Sequence, residues 1–308
     1  MDINKIAELT TGSIKQNESM AAHTTFRTGG CADYYISPNN ANEAAALIRY
    51  FRAENYPFFV LGNGSNMLIS DQGYRGAILD LGKNEGTDFS KVEYSWNGDS
   101  LKLDAGAGCY LSELGSLAVT LGATGFEELS GIPGCVGGGC IMNAGAYGRE
   151  MVNVVTAVQA IDPEGELVRL EKDQLQFRYR GSNLMDEGYI VCRAEMELTR
   201  GKQEEIKNKC EELLEKRRSS QPLEYPSAGS TFKRPEGYFA GKLISDAGLK
   251  GFAVGDAEVS TKHAGFVINK GNASSADVYE LIKKVQKIIL EKDGVELVPE
   301  VRFLGEFK

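Results

Sequence analysis

Between residues 41 and 56 the chain reads ANEAAALIRYFRAENY, and Ala44, Leu47, Ile48 and Phe51 recur at the spacing that lines one face of a helix. Pro57 stops that helix, and the apolar run Phe58-Phe59-Val60-Leu61 predicts a short buried strand. Ala77 to Leu81 predicts another, so this part reads as β-α-β. From Val92 the period changes to two. VEYSW, LKLDAG, VVTAVQAID, ELVRLEK and GYIVCRAEMEL alternate as half-buried strands do, and a helix from Tyr110 to Leu121 interrupts them. A highly charged helix runs from about Gln203 to Arg218, and a Pro/Ser-rich stretch from Ser219 to Ser227 leads into a last unit. There, Ser274 and Asp277 form a capping-box pattern ahead of Val278, Leu281, Ile282, Val285 and Ile289 on one helical face. The strand His263 to Asn269 precedes that helix, and GVELVPEVRFLGEF follows it.

Two apolar runs end in glycine-rich stretches. One is Gly62-Asn63-Gly64-Ser65-Asn66, and the other is SGIPGCVGGGCIMNAGAYG, Ser130 to Gly148. With so little side-chain bulk, such loops let main-chain N–H groups approach a phosphate closely. Neither has the order of a dinucleotide-binding GxGxxG, and no GxxxxGK[ST] occurs. A single cluster of this kind is usually a tight turn. Two of them suggest a large phosphate-bearing cofactor held without a Rossmann fingerprint.

Composition narrows the classes. The 308 residues suffice for two or three packed units, and 42% hydrophobic with 25% charged residues is ordinary for a soluble protein. A formal charge of −9 argues against general nucleic-acid binding, although a pocket can still be locally basic. The polar N-terminal stretch lacks the apolar core of a secretory leader, and no apolar run approaches bilayer length. The six cysteines include no CxxC, and the only histidines are His23 and His263. No metal site is expected, and a reduced, cytoplasmic setting is.

Three short segments carry candidate chemistry. In Ser227-Ala228-Gly229-Ser230-Thr231-Phe232-Lys233, small residues can present the Ser230 hydroxyl to a ligand; a plain turn or helix N-cap is the blander option. In Phe177-Arg178-Tyr179-Arg180, a strand would place both arginines on one side, as a solvated basic edge or an anion clamp. In Pro299-Glu300-Val301-Arg302-Phe303, Glu300 and Arg302 would share a strand face, with a local ion pair as the alternative.

Together with His23-Thr24-Thr25-Phe26-Arg27-Thr28-Gly29-Gly30 and His263-Ala264-Gly265-Phe266-Val267-Ile268-Asn269, these segments occur in one order along nearly the whole chain. In that order the chain resembles the UDP-N-acetylenolpyruvoylglucosamine reductase family, also called UDP-N-acetylmuramate dehydrogenases. The resemblance implies an α+β protein. Two FAD-binding subdomains of the vanillyl-alcohol-oxidase (PCMH-type) superfamily, residues 1–81 and 82–202, would hold the cofactor. A substrate-binding α+β domain, 203–302, would close over the substrate, and the tail 303–308 would return to the first subdomain. No tyrosine-bearing insertion is evident between Arg180 and Ala228, so the chain resembles the shorter, type II members.

The resemblance also implies roles. FAD would be held noncovalently by Gly62, Asn63, Gly64, Ser65 and Asn66. The second loop would contribute Ile132, Pro133, Gly134, Val136, Gly137, Gly138, Gly139, Asn143, Ala144, Gly145 and Gly148. NADPH would reduce the flavin, whose N5 would pass hydride to the enolpyruvyl group of a nucleotide-sugar. Arg180 would grip the substrate carboxylate, Glu300 would polarise it or orient Arg180 or a water, and Ser230 would donate the proton. Arg218, Lys233, Arg234, His263 and Arg302 would contact substrate, with Arg234 standing where some relatives carry asparagine. A monomer without nucleic-acid or membrane partners is expected. The alternatives are an FAD-dependent alcohol or sugar oxidase of the same superfamily, or a non-enzymatic FAD-binding module.

Overall fold

The computed structural model describes residues 2–307. The chain divides into two compact units. The first comprises the N-terminus to Lys15, Tyr34–Asn63 and Gly76–Glu215; the second comprises Gln16–Asp33, Gly64–Arg75 and the chain from Lys216 on.

In the first unit, helix Ala41–Ala53 begins at Asn40, whose side chain accepts the Glu43 amide. Its apolar face, with Ala44, Leu47, Ile48 and Phe51 buried, packs with Ile36, Ala77 and Leu79. The expected β-α-β is present, because Phe58–Leu61 pairs in parallel with Tyr74–Asp80, from Phe58↔Ala77 to Leu61↔Asp80. The alternating segments form an antiparallel sheet in the order Leu167–Glu171, Val155–Ile161, Ile190–Arg200, Ser100–Gly106, Val92–Asn97, with Ala123–Thr124 paired to Ile190–Arg200. Leu101, Leu103, Val158, Ala194 and Met196 turn inward from it onto helix Leu111–Leu121 and the short helix Val136–Ile141.

In the second unit, Ser227–Ser230, Phe266–Asn269, Ala257–Val259 and Ala253–Val254 form an antiparallel sheet in that order. Helix Ser275–Asp293 starts on the expected capping box at Ser274 and Asp277 and ends at Gly294, φ 67°. Val278, Leu281, Ile282, Val285 and Ile289 are fully buried along its one face. Each stabilises by about 1.5–3 kcal/mol relative to exposure. A parallel pair, Arg302–Leu304 with Met67–Ile69, completes this unit.

Three expectations change. Residues 136–141, VGGGCI, are helical although glycine disfavours helix. Residues 178–181 form a tight turn with reciprocal Arg178–Gly181 hydrogen bonds, so strand alternation does not relate Arg178 to Arg180. The strand of PEVRF begins only at Arg302, which leaves Glu300 outside it.

Candidate functional site

In the first unit, chain segments cross with no room for side chains. A Cβ on Gly62 would lie 2.4 Å from Cys135 Sγ, and one on Gly108 would lie 2.3 Å from the Gly82 carbonyl oxygen. Asn63 Nδ2 donates to the Pro133 carbonyl at 2.9 Å and ties the start of the first glycine loop to the second. Gly134 O accepts from Leu111 N at 3.0 Å. Helix Val136–Ile141 is inserted in this crossing. Val136 and Cys140 are fully buried, and the Val136 and Gly137 amides donate to Cys109 O at 3.0 Å and Ala107 O at 2.8 Å. Those two amides are engaged by protein carbonyls. What the helix turns outward is Gly138, which is exposed and, its own helix and chain neighbours apart, has no protein atom within 4 Å of where a Cβ would stand. A flat cofactor can therefore lie against main chain there, in space a side chain would fill. Gly139 faces inward, its Cβ position 3.5 Å from Leu111 Cδ1, while Ile132 and Ala144 pack against the core. Gly148 turns the chain with φ 87°. The glycine loops do not include Gly82 or Gly108. The signal for Gly108 is the LDAGAG strand end, where small residues replace the bulky alternating ones, while Gly82 directly follows the Ala77–Leu81 run.

The end of the second loop meets the Arg180 turn. Asn143 is buried with φ 44°, and its Nδ2 donates to Glu150 Oε2 at 2.8 Å and Arg178 O at 3.1 Å. Its Oδ1 accepts the Val152 amide at 3.0 Å. Arg180, φ 52°, directs Nη2 to Gly145 O at 3.2 Å and holds Nη1 3.9 Å from Glu150 Oε1. Its guanidinium lies 4.9 Å from the Tyr179 ring centroid. All six cysteines are free thiols. Burial pushes Cys109 up to about 11 and Cys140 and Cys192 to about 12, which makes them poor nucleophiles. Among the described residues, no group of three or more His, Cys, Asp or Glu is arranged to hold a metal ion. No helix among them is long and apolar enough to cross a membrane.

The second unit arranges the other candidates around one extended segment. Ser230 pairs with Phe266 across a bulge at Gly229, φ 74°, and is itself exposed. Thr231 is fully buried: its amide donates to Gly265 O at 2.9 Å, and its hydroxyl accepts the Val267 amide at 2.9 Å. On the other side Thr231 O accepts the Glu300 amide at 2.8 Å, and Lys233 N donates to Val298 O at 2.8 Å. Ser230, Lys233 and Glu300 thus sit on adjacent, mutually hydrogen-bonded backbone segments. Asn66 braces the same region: its Nδ2 donates to Glu300 O at 3.1 Å, and its carbonyl accepts the Arg302 amide at 3.0 Å. Gly64 O accepts the Thr25 amide at 3.3 Å, and half-buried Ser65 lies between Gly64 and Asn66. His263 accepts the Gly265 amide at Nδ1, 3.1 Å, so its neutral ring carries the proton on Nε2; burial lowers its basicity. Arg234 is exposed, its guanidinium 3.9 Å from the Phe239 ring centroid. Exposed Arg218 lies on helix Gln203–Ser220, and its carbonyl accepts from Lys262 Nζ at 2.6 Å.

The glycine-lined main-chain surface, which lacks a dinucleotide fingerprint, lies within residues 32–171, and these match the FAD binding domain family. The protein is a flavin-dependent oxidoreductase with a PCMH-type FAD-binding fold and a C-terminal α+β domain. Residues 221–304 match the family described as UDP-N-acetylenolpyruvoylglucosamine reductase, C-terminal domain. The chain is 47% identical to the UDP-N-acetylenolpyruvoylglucosamine reductase of Caldanaerobacter subterraneus subsp. tengcongensis, over 99% of this chain and 98% of that one. It is 48% identical to that of Agathobacter rectalis, over 95% and 94% of the two chains. The crystal structure of the Thermus caldophilus reductase superposes with a TM-score of 0.80 at 34% identity, covering 96% of this chain and all of that one. The chain belongs to the UDP-N-acetylenolpyruvoylglucosamine reductase family.

Proposed function

We propose that the protein reduces UDP-N-acetylglucosamine enolpyruvate to UDP-N-acetylmuramate in peptidoglycan precursor synthesis, with NADPH as hydride donor, as a cytoplasmic monomer of the shorter, type II kind. The observation that carries the reading is the Thr231–Glu300 hydrogen bond. In the domain matched to this family, it sets an exposed hydroxyl at 230 and a carboxyl at 300 on neighbouring segments. The interval from Arg180 to Ala228 holds helix Asn183–Asp186, strand Ile190–Arg200, helix Gln203–Ser220 and a short connection, which supports the type II assignment.

Gly62, Asn63, Gly137, Gly138 and the rest of the two glycine loops would hold FAD, which when bound relays a hydride from NADPH to the enolpyruvyl carbon. Arg180 carries a permanent charge and binds the substrate carboxylate, countering the negative charge that develops beside it. Ser230 gives its hydroxyl proton to the carbon bearing the carboxylate. A serine hydroxyl is a weak acid, so the transfer requires a strongly basic acceptor and a dry site. Glu300, which beside an anionic substrate could not help as an isolated carboxylate, acts by polarising the carboxylate or orienting Arg180 or a water. Arg218, Lys233, Arg234, His263 and Arg302 supply contacts to the nucleotide-sugar.

Anaerobic stopped flow tests this assignment. NADPH should bleach the flavin, and the enolpyruvyl nucleotide-sugar should restore its colour. Glu300→Gln should leave bleaching close to wild type and slow recovery by at least about 10²-fold. Recovery by oxygen but not by the enolpyruvyl substrate would instead mark an oxidase.

A further inference from the structure

Among the described residues, four of the seven non-glycine residues with positive φ, Asn143, Tyr147, Gln176 and Arg180, fall between residues 143 and 180. Left-handed backbone at such residues is strained and persists only where surrounding contacts impose it. Contacts of two of them, Asn143 and Arg180, converge on one side chain that the reaction has not used. Glu150 presents Oε2 to Asn143 Nδ2 at 2.8 Å and Oε1 to Arg180 Nη1 at 3.9 Å. The same Asn143 amide group donates to Arg178 O, the first residue of the Arg180 turn. The Glu150 backbone is pinned in turn, its amide donating to Asn153 Oδ1 at 2.7 Å. Arg180 and Glu150 are 20% and 32% exposed, so solvent screens their attraction less than that of the Arg178–Asp186 pair at 49% and 56%.

The 3.9 Å separation is informative. An arginine and a carboxylate left to themselves close to about 2.8 Å in a two-pronged fork. Glu150 is committed elsewhere: one carboxylate oxygen accepts from Asn143, and the side chain also caps the Asn153 amide. Glu150 is near enough to attract the guanidinium and set its direction, without closing on it as a substrate carboxylate would.

We propose that Glu150, anchored by Asn143, is a positioning residue that aims Arg180 at the substrate carboxylate without competing for it. This rests on the assignment of Arg180 to that carboxylate. Glu150→Gln separates positioning from support of the fold, because the amide oxygen can still accept from Asn143 while the charge is lost. Removing a neighbouring anion also removes repulsion of the anionic substrate.

The experiment measures three quantities on the FAD-loaded enzyme: flavin recovery by the enolpyruvyl nucleotide-sugar, flavin bleaching by NADPH, and calorimetric affinity for UDP-N-acetylmuramate. For Glu150→Gln, recovery should slow roughly 10- to 100-fold, the scale of misplacing a reacting group by about an ångström. Bleaching, flavin content and melting temperature should stay near wild type, and product affinity should be equal or tighter. Glu150→Asp, which keeps the charge, should regain part of the rate. In an Arg180→Met background, Glu150→Gln should have no further effect. Recovery at the wild-type rate, or slowing matched by weaker product binding and flavin loss, would overturn the positioning role alone. A wild-type enzyme whose bleached flavin ignores the enolpyruvyl substrate would overturn the functional assignment, and the positioning role with it.

Discussion

Helix Ser275–Asp293 and helix Val136–Ile141 rest on opposite kinds of support. The first has a capping box, a left-handed glycine stop and a continuous apolar face, so its local signals agree with its packing. The second is six residues long with three glycines, each costing about 1 kcal/mol relative to alanine. Alone it would not form, since isolated helices shorter than about 12–15 residues are marginal in water. Neighbours impose it: Val136 and Cys140 are locked in the core, and Cys109 and Ala107 carbonyls take its first amides. One helix is built to be stable. The other gives up stability and leaves main chain, not side chain, exposed at Gly138, the surface proposed to take the cofactor.

That contrast predicts where substitutions act on folding and where on chemistry. Gly108→Val should have the largest effect. Its Cβ would lie 2.3 Å from the Gly82 carbonyl oxygen, which is backbone and cannot swing aside. The cost should exceed the ~1–3 kcal/mol of ordinary overpacking, and the variant should be recovered as insoluble protein. Soluble, flavin-loaded Gly108→Val would show that the crossing is looser than described. Ser230→Ala comes next and acts on chemistry alone: turnover should fall roughly 10²-fold or more, with flavin content and melting temperature kept. Near-normal turnover would reduce Ser230 to a turn residue. Ser274→Ala should do the reverse, costing ~1 kcal/mol of stability in a denaturant melt while the folded fraction turns over normally.

The smallest effect concerns His263. Burial holds its imidazole below the usual 6.5, so the folded protein prefers it neutral and the unfolded chain takes up the proton first. Its contribution to stability is full above about pH 6.5 and declines as pH falls from there to the lower folded value. Melting temperature against pH should show that decline in the wild type and a flatter curve in His263→Asn. Parallel curves would remove the linkage.

The same contrast explains what could be read from the chain alone. Helices Ala41–Ala53, Leu111–Leu121 and Ser275–Asp293 and the alternating strands were legible because periodicity and caps report burial directly. Helix Val136–Ile141 was not, since glycine's propensity points the other way and only tertiary contacts decide. The Arg178–Gly181 turn was hidden because left-handed φ at Arg180 is imposed by distant partners, Asn143 and Glu150 among them. The motifs single out Arg180, Ser230 and Glu300 as candidates, because an unusual order of short segments is visible without a fold. The motif reading stopped at Gly148, two residues before Glu150, whose role is legible only from the oxygen it turns toward Arg180.

The most direct test of the glycine surface is flavin stoichiometry in Gly138→Leu. Its own helix and chain neighbours apart, no protein atom lies within 4 Å of the added Cβ, and leucine favours helix where glycine does not. The apoprotein should therefore fold as well as wild type or better, by up to about 1 kcal/mol. The purified variant should be colourless or nearly so, with the flavin absorbance bands lost and added FAD bound far more weakly than by wild-type apoprotein. A stable Gly138→Leu protein carrying one FAD per chain would contradict the account, because the cofactor would then not lie against that main chain.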